Sequence, residues 1–194
     1  MTQIKRQNFK LTFALAVAAC ACLLGAANAV AEGGTGIPGE EPLPGPPGKA
    51  KLMKNGDVLA PKNAPLRVVR AIAVANRITH VRYLWGGGHR TNSKLPMSGC
   101  DCSGCVSAVL GPLGADVMSS PLPSGPMMSW GSKGKGKWIT VYAHGGHAFA
   151  EIAGLRWDTS RAGANRVVPG GTGPRWTNVL RSKAGYVARH PKNL

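Results

Sequence analysis

The spacing of apolar residues predicts a helix at the start of the folded part of the chain. Between residues 65 and 78, apolar positions recur at intervals of three and four, which is typical of an amphipathic helix. Pro65 suits a first helical turn because its fixed φ and missing N–H are tolerated there. We therefore expect a helix of about three to four turns packed on the core. Its buried stripe is Val68, Ala71, Ile72, Ala75 and Ile78.

A second apolar run lies in the segment 97–110, which reads M-S-G-C-D-C-S-G-C-V-S-A-V-L. Asp101 is a favourable N-cap because its carboxylate can accept the free backbone N–H groups of the first turn. Gly111 and Pro112 are expected to end the helix. Cys102 is then in the first turn, beside the positive end of the helix dipole, where the pKa of a thiol is lowered. One helical face consists of Cys105, Val106, Val109 and Leu110.

The pattern changes in the second half of the chain, where β-branched and aromatic residues predict strands. A short helix is expected near 127–130, and the segment 160–183 is expected to be mostly irregular. The expected strands are 138–142, 146–152, 155–159 and 185–189.

The residues between the second and third strands predict a register. If the loop 153–154 has two residues, Ile152 pairs with Leu155. Counting outward puts His147 and Asp158 on the same face of the sheet as diagonal neighbours. Asp158 can then accept a hydrogen bond from one imidazole nitrogen, which leaves the other nitrogen for a thiol. A bulged loop would shift the register by one residue and separate the two side chains.

These elements bring together the parts of a thiol hydrolase. Cys102 at a helix start, His147 on a strand and Asp158 on the next strand correspond to nucleophile, base and orienting group. His144 is a rival base, although it lies in the glycine-rich approach to the strand. The alternative interpretations are a strand-edge histidine without a task and a surface carboxylate.

The N-terminal part of the chain is interpreted from composition, because apolar periodicity is absent there. Residues 1–31 have a basic start, an apolar stretch and small residues before a cleavage point, which is typical of a secretory signal peptide. A lipobox-like sequence ending at Cys20 is the alternative, with lipid attached to that cysteine. Residues 32–64 are rich in Pro and Gly and predict a linker. The catalytic domain is then expected to occupy 65–194.

The charge of the chain indicates which partners it attracts. The 194 residues include 24 basic and 8 acidic side chains, a formal charge of +16. Without the three basic residues of the signal segment, the formal charge is +13. Such a surface is attracted to polyanions. In an exported protein these are wall polymers or anionic lipids rather than nucleic acid. A flexible basic loop alternates glycine with Lys133, Lys135 and Lys137.

Three cysteines remain after the signal segment, and all lie within six residues, at Cys100, Cys102 and Cys105. Because their number is odd, at least one thiol is free or paired outside the chain. The crowding leaves several interpretations open. The cysteines could bind a metal together with His89, form a disulfide that silences Cys102, or be buried thiols.

Three motifs in order resemble the NlpC-type papain-like family of cell-wall peptidases. They are the aromatic-glycine segment 83–87, the D-C-S-G segment 101–104 and the Gly-His pair 146–147. The resemblance covers about 66–190, essentially the whole domain. It implies a papain-like α+β fold in which the nucleophile helix packs on a central antiparallel sheet.

The resemblance also implies roles for particular residues. Cys102 would be the nucleophile, His147 the base and Asp158 the polar third residue. The family often has histidine at the third position, and cysteines at 100 and 105 are unusual for it. The residues implied beside the thiolate or at the amine end of the substrate are Tyr83, Asp101 and Ser103.

Members of this family hydrolyse amide bonds in peptidoglycan stem peptides. The implied function is therefore a secreted cysteine endopeptidase of the cell wall that needs no cofactor and no metal. Its expected partner is peptidoglycan or another anionic wall polymer, with no nucleic acid, and a membrane only if Cys20 carries lipid. Two alternatives remain open: a related thiol amidase or acyltransferase with another substrate, and a non-catalytic basic protein that binds the wall.

Overall fold

The computed structural model describes residues 48–91, 94–95, 97–160, 173–179 and 181–194. The predicted signal peptide and linker residues 32–47 lie outside the described residues. The helices are α1 (Leu66–Ile78), α2 (Cys102–Leu110) and α3 (Ser124–Met127). The strands are β1 (Lys51–Leu52), β2 (Val58–Leu59), β3 (Arg82–Tyr83), β4 (Gly99–Cys100), β5 (Ser132–Lys133), β6 (Ile139–His144), β7 (His147–Ile152), β8 (Leu155–Asp158), β9 (Arg175–Thr177) and β10 (Val187–His190).

A six-stranded antiparallel sheet organises the domain, with strand order β5-β10-β6-β7-β8-β9. Strands β6, β7 and β8 follow one another along the chain and pair as a meander. Helix α2 packs on β7 and β8 and against α1. The fold is therefore α+β with a large antiparallel sheet, which confirms that part of the predicted fold class. Among the described residues, no helix is both long and apolar enough to cross a membrane.

The two principal helices form where the apolar pattern predicts them. All five residues of the predicted stripe of α1 are buried, and Val74 joins them. Helix α2 contributes to the same core, which continues into the apolar face of the central strands. The core residues on that face include Val141, Ala148, Ala150, Ile152 and Trp157.

The folded body begins before residue 65, so the linker prediction is wrong for residues 48–64. Strands β1 and β2 form a hairpin in this segment, and Val58 is 2 % exposed. The Asn76 amide bonds both backbone groups of Val58, at 3.0 and 2.9 Å. The Ala50 N–H also donates to the carbonyl of Ala153, at 2.9 Å. These long-range contacts hold a segment that has no apolar period of its own.

Two further segments differ from the prediction. Helix α3 begins at Ser124, three residues before the expected position. Strand β9 lies inside the stretch expected to be irregular and pairs with β8, opposing Trp157 with Trp176 and Asp158 with Arg175. A three-residue strand is too short for its own sequence to show alternation, and its position depends on pairing with β8.

Candidate active site

Cys102 is the first residue of α2, and its side chain contacts the first two residues of strand β7, His147 and Ala148. The N-cap Asp101 has an extended backbone, and its Oδ1 accepts a hydrogen bond from the Gly104 N–H at 2.7 Å, which confirms the predicted cap. Cys102 is 9 % exposed. Its thiol is hydrogen-bonded to the His147 side chain and to the backbone N–H of Ala148. The helix start therefore delivers a nearly buried sulfur to the histidine strand.

Glycine at position 104 allows the helix start to sit against the preceding loop. A Cβ added to Gly104 would overlap the carbonyl oxygen of Gly87. The same loop donates the Gly86 N–H to Asp101 Oδ2 at 3.0 Å, and the Asp101 N–H donates to Gly87. The glycines of the two motifs thus meet in space, and together they fix the first turn that carries Cys102.

The predicted register of β7 and β8 is confirmed, and it brings His147 to Asp158. Ile152 pairs with Leu155, and the two loop residues have φ of +47° and +83°, as a two-residue hairpin turn requires. The Nε2 atom of His147 lies 2.9 Å from Asp158 Oδ1. This contact uses one imidazole nitrogen and leaves Nδ1 for the thiol.

The three side chains shift one another's pKa values toward a thiolate–imidazolium pair. Burial opposes ionisation of Cys102, but hydrogen bonds from His147 and Ala148 outweigh it and lower the pKa of the thiol. Burial also opposes the charge on His147, whereas Asp158 and Cys102 favour it and raise its pKa to about 9. Burial disfavours the Asp158 carboxylate, but His147, Ser160 and Arg181 lower its pKa. Below about pH 9 the His147 imidazole is protonated, and its positive charge favours the thiolate form of Cys102.

Asp158 is held by groups that the sequence analysis missed. Its Oδ1 also accepts from the Ser160 N–H at 2.9 Å. Its Oδ2 lies 3.1 Å from Arg181 Nη1 and 3.5 Å from Arg156 Nε. Alternation along β8 places Arg156 on the face of Asp158, so the R-W-D sequence contained that signal. No local pattern marks Arg181, which follows β9 and reaches the carboxylate only in the folded chain.

The rival base His144 has other partners. Its Nδ1 accepts a hydrogen bond from the Gly146 N–H at 3.0 Å, and its ring packs on Tyr186 with centroids 4.5 Å apart. Tyr186 also meets Phe149 at 5.2 Å and the edge of His147 at 6.4 Å. These aromatic rings form a wall beside the imidazole, and Tyr186 is a second neighbour that sequence analysis missed.

The three predicted substrate-binding residues gather on the other side of Cys102. The Ser103 hydroxyl donates to Asp101 Oδ1 at 3.1 Å, and His89 Nε2 lies 2.9 Å from the same oxygen. Burial opposes the charge on Asp101, but Gly104, His89 and Ser103 lower its pKa. Partial burial and the nearby charges of Cys102 and Asp101 raise the pKa of the Tyr83 phenol. Tyr83 therefore lies near both the Cys102 thiol and the Asp101 carboxylate.

The cysteine pairing corrects one expectation. Cys100 and Cys105 form a disulfide, and Cys102 is a free thiol, so the possibility that a neighbour silences the nucleophile is wrong for this structure. The same disulfide removes Cys100 and Cys105 as ligands of the alternative metal site. Its fourth expected ligand, His89, contacts Asp101 instead. Within the described ranges, no group of three or more His, Cys, Asp or Glu side chains is placed to hold a metal ion.

Comparison with known proteins leaves the site to be interpreted from its own chemistry. A scan of the chain against protein-family models gives no match, and a search of the curated proteins gives no significant match. The arrangement of Cys102, His147 and Asp158 can supply a nucleophile, a general acid–base and an orienting carboxylate. Such a set can cleave the bond between a carbonyl carbon and its leaving group, through a thioester formed on the cysteine.

Proposed function

We propose that this protein is a secreted cysteine hydrolase that cleaves amide bonds in peptidoglycan stem peptides, with a papain-like NlpC-type fold. The observation that carries the proposal is the continuous contact from the Cys102 thiol through His147 to the buried Asp158 carboxylate. The order and spacing of the three motifs support the substrate class. The antiparallel sheet with α2 packed on it is compatible with the proposed fold.

The first half of the reaction forms an acyl-enzyme. The Cys102 thiolate attacks the amide carbonyl carbon, and the C–O π electrons move onto oxygen. The backbone N–H of Cys102, which has no partner within the helix, faces the negative charge that develops there. The His147 imidazolium gives its proton to the amide nitrogen as the C–N bond breaks. An amine leaves, and the acyl group stays on sulfur as a thioester.

The second half restores the enzyme with water. Neutral His147 now removes a proton from a water molecule, whose oxygen attacks the thioester carbonyl. The C–S bond breaks, and the carboxylic acid product leaves while the thiolate–imidazolium pair forms again. Asp158 keeps the imidazole oriented and stabilises its positive charge through both halves.

Two features support a wall substrate: the basic charge of the chain and the group formed by Tyr83, Asp101 and Ser103. Lys133, Lys135 and Lys137 are all exposed, in and after β5, and would be attracted to anionic wall polymers. The Asp101 carboxylate lies beside the nucleophile with Ser103 and Tyr83 around it. An amine group at the end of a cut or uncross-linked stem peptide is the natural partner for a carboxylate in that position.

Digestion of purified peptidoglycan tests this function. The wild-type protein is expected to release fragments that gain the mass of one water at a stem-peptide amide. The Cys102→Ala variant should release none while its melting temperature stays near that of the wild type. Fragments that instead gain the mass of an added amine acceptor would indicate an acyltransferase. Wall binding without any new fragment from the wild-type protein would leave only the binding role.

A further inference from the structure

The Asp158 carboxylate is clamped from the side opposite His147. Oδ1 faces His147 and the Ser160 N–H, and Oδ2 faces Arg181 and Arg156. The side chain of Asp158 is fully buried, and that of Arg181 is 20 % exposed. An arginine placed in this way can set both the orientation of the carboxylate and the charge that the imidazole senses.

Arg181 is itself held in place by aromatic rings. Its guanidinium carbon lies 5.3 Å from the ring centroids of both Phe149 and Tyr186. Contacts of this kind favour a cation over an aromatic face. The ring centroids of Phe149 and Tyr186 also lie 6.5 and 6.4 Å from that of His147. Arg181 therefore links the carboxylate to the aromatic wall of the imidazole, although it belongs to neither β7 nor β8.

We propose that Arg181 is a positioning residue, which fixes Asp158 for His147 and sets the pH range in which Cys102 is a thiolate. The proposal rests on the proposed function only for the reaction that it serves. The titratable and charged groups around Asp158 and its arginine partners are Cys102, His147, Glu151, Arg156, Arg175, Arg181 and Tyr186. Asp101 and Tyr83 also lie near Cys102.

The sign of the effect follows from the charge of Arg181. A nearby positive charge favours loss of a proton from both the imidazolium and the thiol. Removing that charge should therefore raise the pKa of His147 and of Cys102. For a charge that acts through one intervening carboxylate, we expect a shift of about 0.5–1 pH unit.

Alkylation of Cys102 by iodoacetamide tests the proposal without needing a substrate. The rate at Cys102 is followed from acidic to alkaline pH on the full chain, with the modified peptide identified by its mass. The Arg181→Gln variant should move the acidic inflection upward by about 0.5–1 pH unit. Arg181→Lys, which keeps the charge, should leave it near the wild-type position. Arg70→Gln is the matched control, because it removes an equal charge from an exposed site on α1.

Hydrolysis measurements complete the test. The alkaline limb of kcat/KM should move upward in Arg181→Gln and stay in place in Arg181→Lys. Hydrolysis by Arg181→Lys should still be several-fold slower, because the planar guanidinium held against the Phe149 and Tyr186 rings is lost. Unchanged inflections in Arg181→Gln, or an equal shift in Arg70→Gln, would overturn the proposal. If Arg181→Gln does not fold, a wild-type rate in Arg181→Lys would do the same. A wild-type protein that alkylates as expected but cleaves nothing would refute the proposed function and leave this inference standing.

Discussion

Two histidine–aspartate pairs lie near the start of α2. They share the same short contact but differ in burial and in the other partners of their side chains. In each pair an imidazole Nε2 lies 2.9 Å from a carboxylate oxygen. The side chain of Asp158 is fully buried, whereas that of Asp101 is 13 % exposed. His147 also contacts the Cys102 thiol, whereas the buried Nδ1 of His89 has no hydrogen-bond partner among the described residues.

The comparison shows that the short contact alone does not define an acid–base pair. Asp101 Oδ1 accepts from the Gly104 N–H and Oδ2 from the Gly86 N–H, so this carboxylate holds the helix start in addition to its proposed contact with the substrate amine. Asp158 serves no helix, and arginines occupy the oxygen that His147 does not use. In the proposed reaction, Asp158 therefore orients the His147 imidazole and stabilises its positive charge beside the Cys102 thiol.

The largest expected difference is between the two histidines. His147→Ala should lower the rate of peptidoglycan cleavage by at least about 10³-fold, because base and nucleophile act as one unit. Adding Cys102→Ala should then cost little more. His89→Ala should change kcat less than about threefold and lower the free energy of unfolding by about 1 kcal/mol, since it loses one partly exposed hydrogen-bonded contact.

Fragment release by mass spectrometry and urea unfolding measure the two effects. The matched substitution at His144, His144→Ala, serves as control and should have a mild effect on cleavage. Equal losses of kcat in the His89 and His147 variants would show that both pairs act in the chemistry, against the assignment made here.

The next largest expected difference is between the kinetic effects of replacing Asp158 and of replacing Asp101. Asp158→Asn is expected to retain some activity but to lose about 10²-fold in kcat, because an orienting group contributes less than the base it orients. Asp101→Asn should keep the helix cap, since asparagine is also a good N-cap residue. Its main effect should be a higher KM for stem peptides that end in an amine. A loss confined to KM in Asp158→Asn would contradict its orienting role.

The pH dependence of cleavage sharpens the same comparison. The proposed reaction requires thiolate and imidazolium together, so kcat/KM should rise as Cys102 ionises, below the ordinary thiol pKa. It should fall as pH passes about 9, where His147 loses its proton. Beyond that pH the loss approaches tenfold per unit. His89→Gln should leave the alkaline limb in place. A limb that moves in this variant would show that it does not belong to the His147–Asp158 pair.

Local patterns predicted the parts of the site that local chemistry builds. The Asp101 cap, the buried stripe of α1 and the two-residue turn at 153–154 each follow from a few neighbouring residues. The length of this turn fixed the register of β7 and β8 and so predicted that His147 reaches Asp158. These features need no knowledge of distant chain segments, which is why they were visible before the fold.

Other parts depend on segments that meet only after folding. Arg181 follows β9, which pairs with β8, whereas Tyr186 directly precedes β10, which pairs with β6, so their places beside the imidazole depend on these two strand pairings. The hairpin at 48–64 relies on Asn76, which lies on another element. The spacing of three cysteines could not decide their pairing, since the choice depends on the path of the backbone from β4 into the first turn of α2.

The smallest expected effect on cleavage concerns the Cys100–Cys105 disulfide, which spans the Asp101 cap and Cys102. Cys100→Ala combined with Cys105→Ala should lower the free energy of unfolding by about 2 kcal/mol, the amount expected for releasing a short closed loop. Because Cys102 is a free thiol already, reductant should not be needed for activity. Urea unfolding of the double variant and of the parent, with and without reductant, measures the difference, and cleavage by the double variant should fall several-fold through a looser helix start. Activity that appears only after reduction would mean that Cys102 is disulfide-bonded in the isolated protein, contrary to the pairing described above.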